Sequence, residues 1–209
     1  MASMTLPAGT ITCVFTDIEG STALLKRLGD RYRDVLTTHR QIVRETFGPS
    51  GGVEIDTQGD SFFFAFPRAR EAVAAAVEVQ RAHGRTAWPD GAAVRVRIGL
   101  HTGEPTVGDE GYLGLDVVCA ARICAVGRGG SVLLSATTRA LLGSAVPDGA
   151  AISAPDEQRL KDIDEPELVY ELRIDGVEVT PAAEPPATTP RPSGKQPRTG
   201  RRLQGFARA

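Results

Sequence analysis

The chain has 209 residues, with 24 Lys and Arg against 26 Asp and Glu, three Cys and 41% apolar residues, an ordinary composition for a globular protein. No stretch approaches the roughly 20 consecutive apolar residues needed to span a bilayer, and the start MASMTLPAGTIT lacks a basic segment leading an apolar run. Neither a membrane span nor a secretory signal is expected, and a cytoplasmic location is; Cys13, Cys119 and Cys124, odd in number and without CxxC spacing, read as small buried hydrophobes rather than a disulfide framework or zinc site.

The charge is unevenly placed. Residues 180–209 carry six basic side chains against Glu184 alone and hold six of the 14 prolines, so they read as a disordered basic tail. Residues 1–179 hold 18 basic and 25 acidic side chains, a net of −7. The expected organisation is an N-terminal extension over 1–9, one domain over 10–174 and the tail over 180–209. A solvated linker is the plainest reading of that tail, and nucleic acid is not expected as a partner.

In chain order, Thr10 to Thr16 is a β-branched and aromatic run that reads as a buried strand ending at Asp17-Ile18-Glu19-Gly20. Ser21 and Thr22 are N-cap candidates for a helical pattern that runs to Gly48-Pro49, with a break at Gly29-Asp30. Gly51 to Phe66 reads as a hairpin with Asp60 at its tip and Phe62, Phe64 and Phe66 on one face. A helix follows over Ala69–Ala82, and then a strand in which Val94, Val96, Ile98 and Leu100 alternate with Arg95, Arg97 and Gly99. Helices are expected over Leu115–Val126 and Ala136–Leu142, and strands over Ser131–Leu134, Gln158–Lys161 and Leu168–Arg173. The fold class is α+β, with the early elements in the order of a ferredoxin-like unit.

Asp17 at a strand end and Asp60 at a hairpin tip converge if their strands are neighbours, giving an oxygen-rich site suited to Mg²⁺ or Mn²⁺. Read singly, Asp17 is equally a helix-start residue and Asp60 a turn former. Gly20, Ser21 and Thr22 place backbone N–H groups at a helix N-terminus directly after Asp17, where phosphate is attracted. Arg122 is an unusual charge in the small, apolar helix VVCAARICA, either snorkelling to solvent or reaching a ligand. His101, at a strand end, is given no catalytic role, and no phosphate loop of the GxxxxGK[ST] or GxGxxG type is present.

VFTDIEGST (14–22), TQGDSFFFAF (57–66), VRVRIGLHTGEP (94–105), YLGLDVVCAARI (112–123), GGSVLLSATT (129–138) and RLKDIDEPELVYEL (159–172) together resemble the successive signatures of a class III adenylate/guanylate cyclase catalytic domain. The resemblance covers 10–174, about four fifths of the chain. It implies a βαββαβ core of the nucleotide cyclase type. It further implies that Asp17, Asp60 and the Ile18 carbonyl hold two Mg²⁺ or Mn²⁺ ions, that Arg122 stabilises the transition state and that Lys161 contacts the triphosphate. The implied reaction is attack of the ribose 3′-oxygen on the α-phosphate, with ATP the default substrate and GTP the alternative, in a head-to-tail homodimer whose sites lie at the interface.

Three positions differ from the pattern. Asp56 stands where the family has a base-contacting Lys, Gly111 where an Asp often accepts from adenine (Asp109 and Glu110 are nearby), and Val118 where an Asn orients the ribose. Asp56 can accept from guanine N1–H and the 2-amino group and so favours GTP or relaxed selection. The alternative reading is a degenerate module that binds nucleotide, or merely dimerises, with little turnover.

Overall fold

The computed structural model describes residues 6–109 and 111–181. The basic tail from residue 182 onward and most of the N-terminal extension lie outside the described residues. Among the described residues no helix is long and apolar enough to cross a membrane.

The chain begins with β1 (Ile11–Ile18), α1 (Ser21–Leu28), a 3-10 turn over Gly29–Arg31 and α2 (Tyr32–Phe47). The hairpin β2 (Val53–Gln58) and β3 (Ser61–Phe66), α3 (Ala69–Arg85) and β4 (Val96–Gly103) follow. A small hairpin, β5 (Thr106–Gly108) and β6 (Gly111–Leu113), leads into α4 (Leu115–Val126), β7 (Val132–Ser135) and α5 (Ala136–Leu142). The chain closes with β8 (Ala150–Ile152), β9 (Asp156–Gln158) and β10 (Glu167–Ile174).

The main sheet runs β2-β3-β1-β4-β7-β10-β8, with β9 on β10, so the first four strands stand in the ferredoxin-like order and β1 lies between β3 and β4. Strand alternation sets the two faces. Val14 and Ile18 join Phe62, Phe64, Phe66, Ile98 and Leu100 in the large core under α2 and α3. Cys13 turns to the other face with Phe63 and Ala65, where α4 contributes Ala120. The three cysteines are free and buried, as the composition implied.

Several elements depart from the sequence expectation. β1 extends two residues beyond Thr16, because Asp17 and Ile18 still pair with Arg97 and Val96 of β4. Gly20, in the left-handed region at φ 67°, is the N-cap of α1 without a side-chain bond, so Ser21 and Thr22 are the first helical residues and not caps. The strand expected over Gln158–Lys161 is displaced to Asp156–Gln158, and Lys161 sits in a turn. The β5–β6 hairpin and β8 carry no alternation long enough to be read from the sequence.

α4 packs onto β4 at Gly99, where an added Cβ would lie 2.2 Å from the Cys124 amide nitrogen and 2.5 Å from its Cα. After β10 the chain folds back, and Thr180 donates its hydroxyl to Glu19 (2.6 Å) and its amide to the Gly129 carbonyl (2.8 Å). Between α2 and α3 the buried rings of His39 and His83 meet at 2.9 Å, His39 Nε2 stands 2.9 Å from the Asp60 carbonyl, and His83 Nδ1 stands 2.8 Å from that of Val79.

Gly99→Ala should destabilise the domain at or above the top of the ~1–3 kcal/mol usual for overpacking, because the obstacle is backbone; chemical denaturation measures it. Burial lowers both His39 and His83 to about 4, the neighbouring ring adding to the shift of His39. The unfolded chain binds protons on these rings below about 6.5, whereas the folded protein keeps them neutral down to about 4. Their share of stability is therefore complete above pH 6.5 and lost as pH falls to 4, by up to roughly 3 kcal/mol for either ring alone. The melting temperature should drop across that window, and a His83→Gln variant should show a shallower decline.

Candidate functional site

At one end of the sheet β1 brings Asp17 beside the turn between β2 and β3, which carries Asp60. Asp60 Oδ2 accepts from the Ile18 amide at 3.0 Å, and Asp17 Oδ1 accepts from the Ser61 hydroxyl at 3.0 Å. The turn is gripped from α2: Arg40 donates twice to the Gly59 carbonyl, at 2.7 and 3.1 Å, and the His39 ring contacts the carbonyl of Asp60. Partial burial and the adjoining Asp17 carboxylate raise the Asp60 carboxyl above its ordinary range. A carboxylate whose ionised form is disfavoured by burial and by a second carboxylate is suited to a cation as its neighbour.

Two neighbours were not singled out in the sequence. Arg97, directly across the β1–β4 ladder, donates Nε and Nη2 to Asp17 Oδ2 at 3.0 and 2.5 Å. Its place in an alternating strand gave it the look of a solvent-facing residue, and only strand pairing reveals its partner. Tyr32, at the start of α2, lies near enough that Asp60 and Asp17 add to the effect of burial in raising its hydroxyl. The first amides of α1, those of Ser21 and Thr22, find no acceptor among the described residues, while Gly20 accepts from Ala23 and Leu24.

A second cluster stands apart. Arg122 of α4 donates Nη2 to Asp162 Oδ2 at 2.6 Å and Nε to the Lys161 carbonyl at 3.1 Å. The structure thus brings Arg122 and Lys161 together. Among the described residues no hydrogen bond or ion pair joins them to Asp17 or Asp60. The separation follows from the helix: Ala121 lines the cleft at Asp17, and the next residue projects roughly 100° away.

A cleft of about 490 Å³ is lined by Phe15, Ile55, Asp56, Phe63, Tyr112 and Val117. Phe15 and Phe63 stack with ring centroids 4.5 Å apart, and Phe15 also borders the smaller cleft at Asp17. Asp56 lies in this cleft, its carboxylate taking the Thr57 amide at 2.8 Å and the Gln58 side chain at 3.1 Å. Gly111 lies at φ 125°, and a Cβ there would stand 2.8 Å from Ile55 Cγ2. Val118 sits one turn before Arg122 on the same helix face.

The adenylate and guanylate cyclase catalytic domain profile matches residues 5–170. The chain belongs to this family. An uncharacterised protein of Mycobacterium tuberculosis is 34% identical over 168 residues, which is 79% of this chain and 56% of the relative. An adenylate cyclase of Lachancea kluyveri is 33% identical over 154 residues, 62% of this chain and 8% of that protein. This chain therefore spans little more than half of the mycobacterial relative and a small part of the yeast one. Among solved structures, a Trypanosoma brucei adenylate cyclase in its monomeric state superposes with a TM-score of 0.73 at 27% identity, covering 84% of this chain and 93% of that one. The guanylate cyclase domain of Catenaria anguillulae, solved with GTP, shares the fold at a TM-score of 0.69 and 19% identity, covering 79% of this chain and 97% of that one.

In this cyclase domain His101 lies within β4 instead of at its end, with Nε2 3.0 Å from Asp116 Oδ1, and Asp116 also accepts from the Glu104 amide. It ties the first turn of α4 to the sheet. Because burial and the Asp17 carboxylate both disfavour ionised Asp60, a divalent cation there would relieve that penalty, and Mn²⁺ should raise the melting temperature at neutral pH. The rise should vanish in Asp60→Asn, with thermal shift as the measurement. Gly111→Asp should cost about 1–3 kcal/mol, since the left-handed backbone and Ile55 both oppose a side chain there.

Proposed function

We propose that this cyclase domain converts a purine nucleoside triphosphate, ATP first and GTP second, to its 3′,5′-cyclic monophosphate and pyrophosphate. The observation that carries this reading is the meeting of the Asp17 and Asp60 carboxylates beside the unpaired first amides of α1. Two carboxylates with few other protein ligands suit Mg²⁺ or Mn²⁺, which leave room for phosphate oxygens. Asp17, Asp60 and the Ile18 carbonyl are the proposed ligands of two ions. Such ions, when bound, would lower the proton affinity of the ribose 3′-hydroxyl and neutralise the triphosphate.

The chain's own groups supply the rest. The amides of Ser21 and Thr22 and the guanidinium of Arg97 present positive charge at the mouth of the carboxylate cleft, where a triphosphate would lie. The stacked Phe15–Phe63 pair, Tyr112 and Val117 give an apolar cleft for a flat base, and Asp56 offers it an acceptor. Arg122 and Lys161 are assigned to the α-phosphate and the triphosphate of the site on a second copy. Their separation from Asp17 on one chain supports a head-to-tail homodimer. Leu113 and Leu115, 64% and 73% exposed around the β6–α4 corner, supply apolar surface for it.

A second reading, nucleotide binding or dimerisation with little turnover, is favoured by Val118, which cannot hydrogen-bond a ribose, and by Gly111, which has no room for a carboxylate. Loss of one preorganised donor costs about 10²–10³ in rate, so a slow enzyme is expected. Purified protein with Mn²⁺ and either ATP or GTP should release cyclic nucleotide and pyrophosphate. No product above an Asp17→Ala, Asp60→Ala double variant would reject the cyclase reading. Val118→Asn should raise the rate by ~10-fold or more if the scaffold is otherwise competent.

A further inference from the structure

We propose that Asp162 is a positioning residue for Arg122, forming with the Lys161 carbonyl a clasp that sets the guanidinium of α4 and the ammonium of the β9–β10 loop as one unit. The proposal rests on the cyclase reading for the purpose of that unit, and on geometry alone for its existence.

Three features identify the clasp. Arg122 uses two different N–H groups on two acceptors from adjacent residues, Nη2 on Asp162 Oδ2 at 2.6 Å and Nε on the Lys161 carbonyl at 3.1 Å. Two-point attachment fixes the plane of a guanidinium, which a single ion pair does not. Asp162 holds φ at 63°, in the left-handed region that favours glycine, and Asp90 is the other non-glycine residue with positive φ among the described residues. That conformation turns the carboxylate toward α4. Lastly, the Lys161 side chain makes no ion pair among the described residues, although its backbone is held by Arg122.

Stability does not explain the arrangement. The Arg122 and Asp162 side chains are 34% and 58% exposed, and an ion pair this open to water adds little. A left-handed aspartate gives back a comparable amount in backbone strain. What the pair does accomplish is to remove rotamer freedom from Arg122 and to tie its place to that of Lys161. Both cations would then approach a polyphosphate in fixed relation, and the remaining guanidinium N–H groups stay available to it. The cost is partial neutralisation of Arg122, tolerable because Lys161 beside it restores the positive charge.

The decisive substitution is Asp162→Gly, because glycine accepts this φ without strain and removes the carboxylate, so the fold is kept while the clasp is opened. In the full chain, amide hydrogen exchange over 160–164 should quicken several-fold in Asp162→Gly and in Arg122→Gln alike, with the rest of the domain unchanged. In the turnover assay Asp162→Gly should lower kcat about 10-fold with KM within twofold, and Asp162→Asn, which keeps an acceptor and tolerates this φ, should recover part of the loss. Unchanged exchange in both variants overturns the clasp. Wild-type kcat, raised kcat or a change confined to KM in Asp162→Gly overturns its positioning role. Absence of wild-type turnover above the Asp17→Ala, Asp60→Ala control defeats the cyclase reading instead, and the exchange measurement still decides the clasp.

Discussion

Two carboxylates held side by side on a protein surface repel, and the Asp17–Asp60 pair is the constraint to which the surrounding structure answers. Asp60 takes the Ile18 amide, Asp17 takes Ser61 and Arg97, and α2 grips the carbonyls of Gly59 and Asp60 through Arg40 and His39. These bonds leave the Asp60 carboxyl raised, by burial first and by the Asp17 carboxylate second. They make the turn rigid enough to sustain the repulsion. Were a cation bound there as proposed, a site that keeps its charges together beforehand would already have met the reorganisation cost of binding.

The fold was legible where strands are strictly alternating or continuously apolar and where helices, as in α1, α2 and α3, are amphipathic. β1, β3 and β4 were found within a few residues, and the break at Gly29-Asp30 is a 3-10 turn. What was missed is set by pairing across the sheet. Arg97 alternates with apolar neighbours as any solvent-facing residue would, and only the register that places it opposite Asp17 reveals its role. Ser21 and Thr22 have the chemistry of caps, but Gly20 can turn left-handed at lower cost and takes that position. Lys161 was read into a strand because Arg159-Leu160-Lys161 alternates, whereas the left-handed Asp162 requires a turn there. An aspartate gives no sign of that conformation, as a glycine would have done.

The positions that differ from the family pattern are not scattered. Asp56 and Gly111 belong to the cleft proposed for the base, and Val118 shares the helix face of Arg122. The groups proposed to meet metal and phosphate, by contrast, are retained: Asp17, Asp60, Arg122 and Lys161. The proposed charge-on-charge recognition of a polyphosphate would survive such a division, because the side chains it would rely on are present. Discrimination between bases depends on single hydrogen bonds, and at Gly111 packing against Ile55 leaves no room for a side chain that could make one.

Gly99 has a bearing on this division of labour. By admitting the Cys124 backbone to within a glycine's reach of β4, it leaves α4 no play against the sheet. The helix carries Ala121 at the carboxylate cleft and Arg122 on the far side, so the angle and offset between the two half-sites are constants of the chain. In a two-fold pairing every contact occurs twice. In the proposed homodimer, a second copy that brought its Arg122 to one carboxylate pair would receive the first copy's Arg122 at its own, and α4 would be the gauge against which both sites are cut.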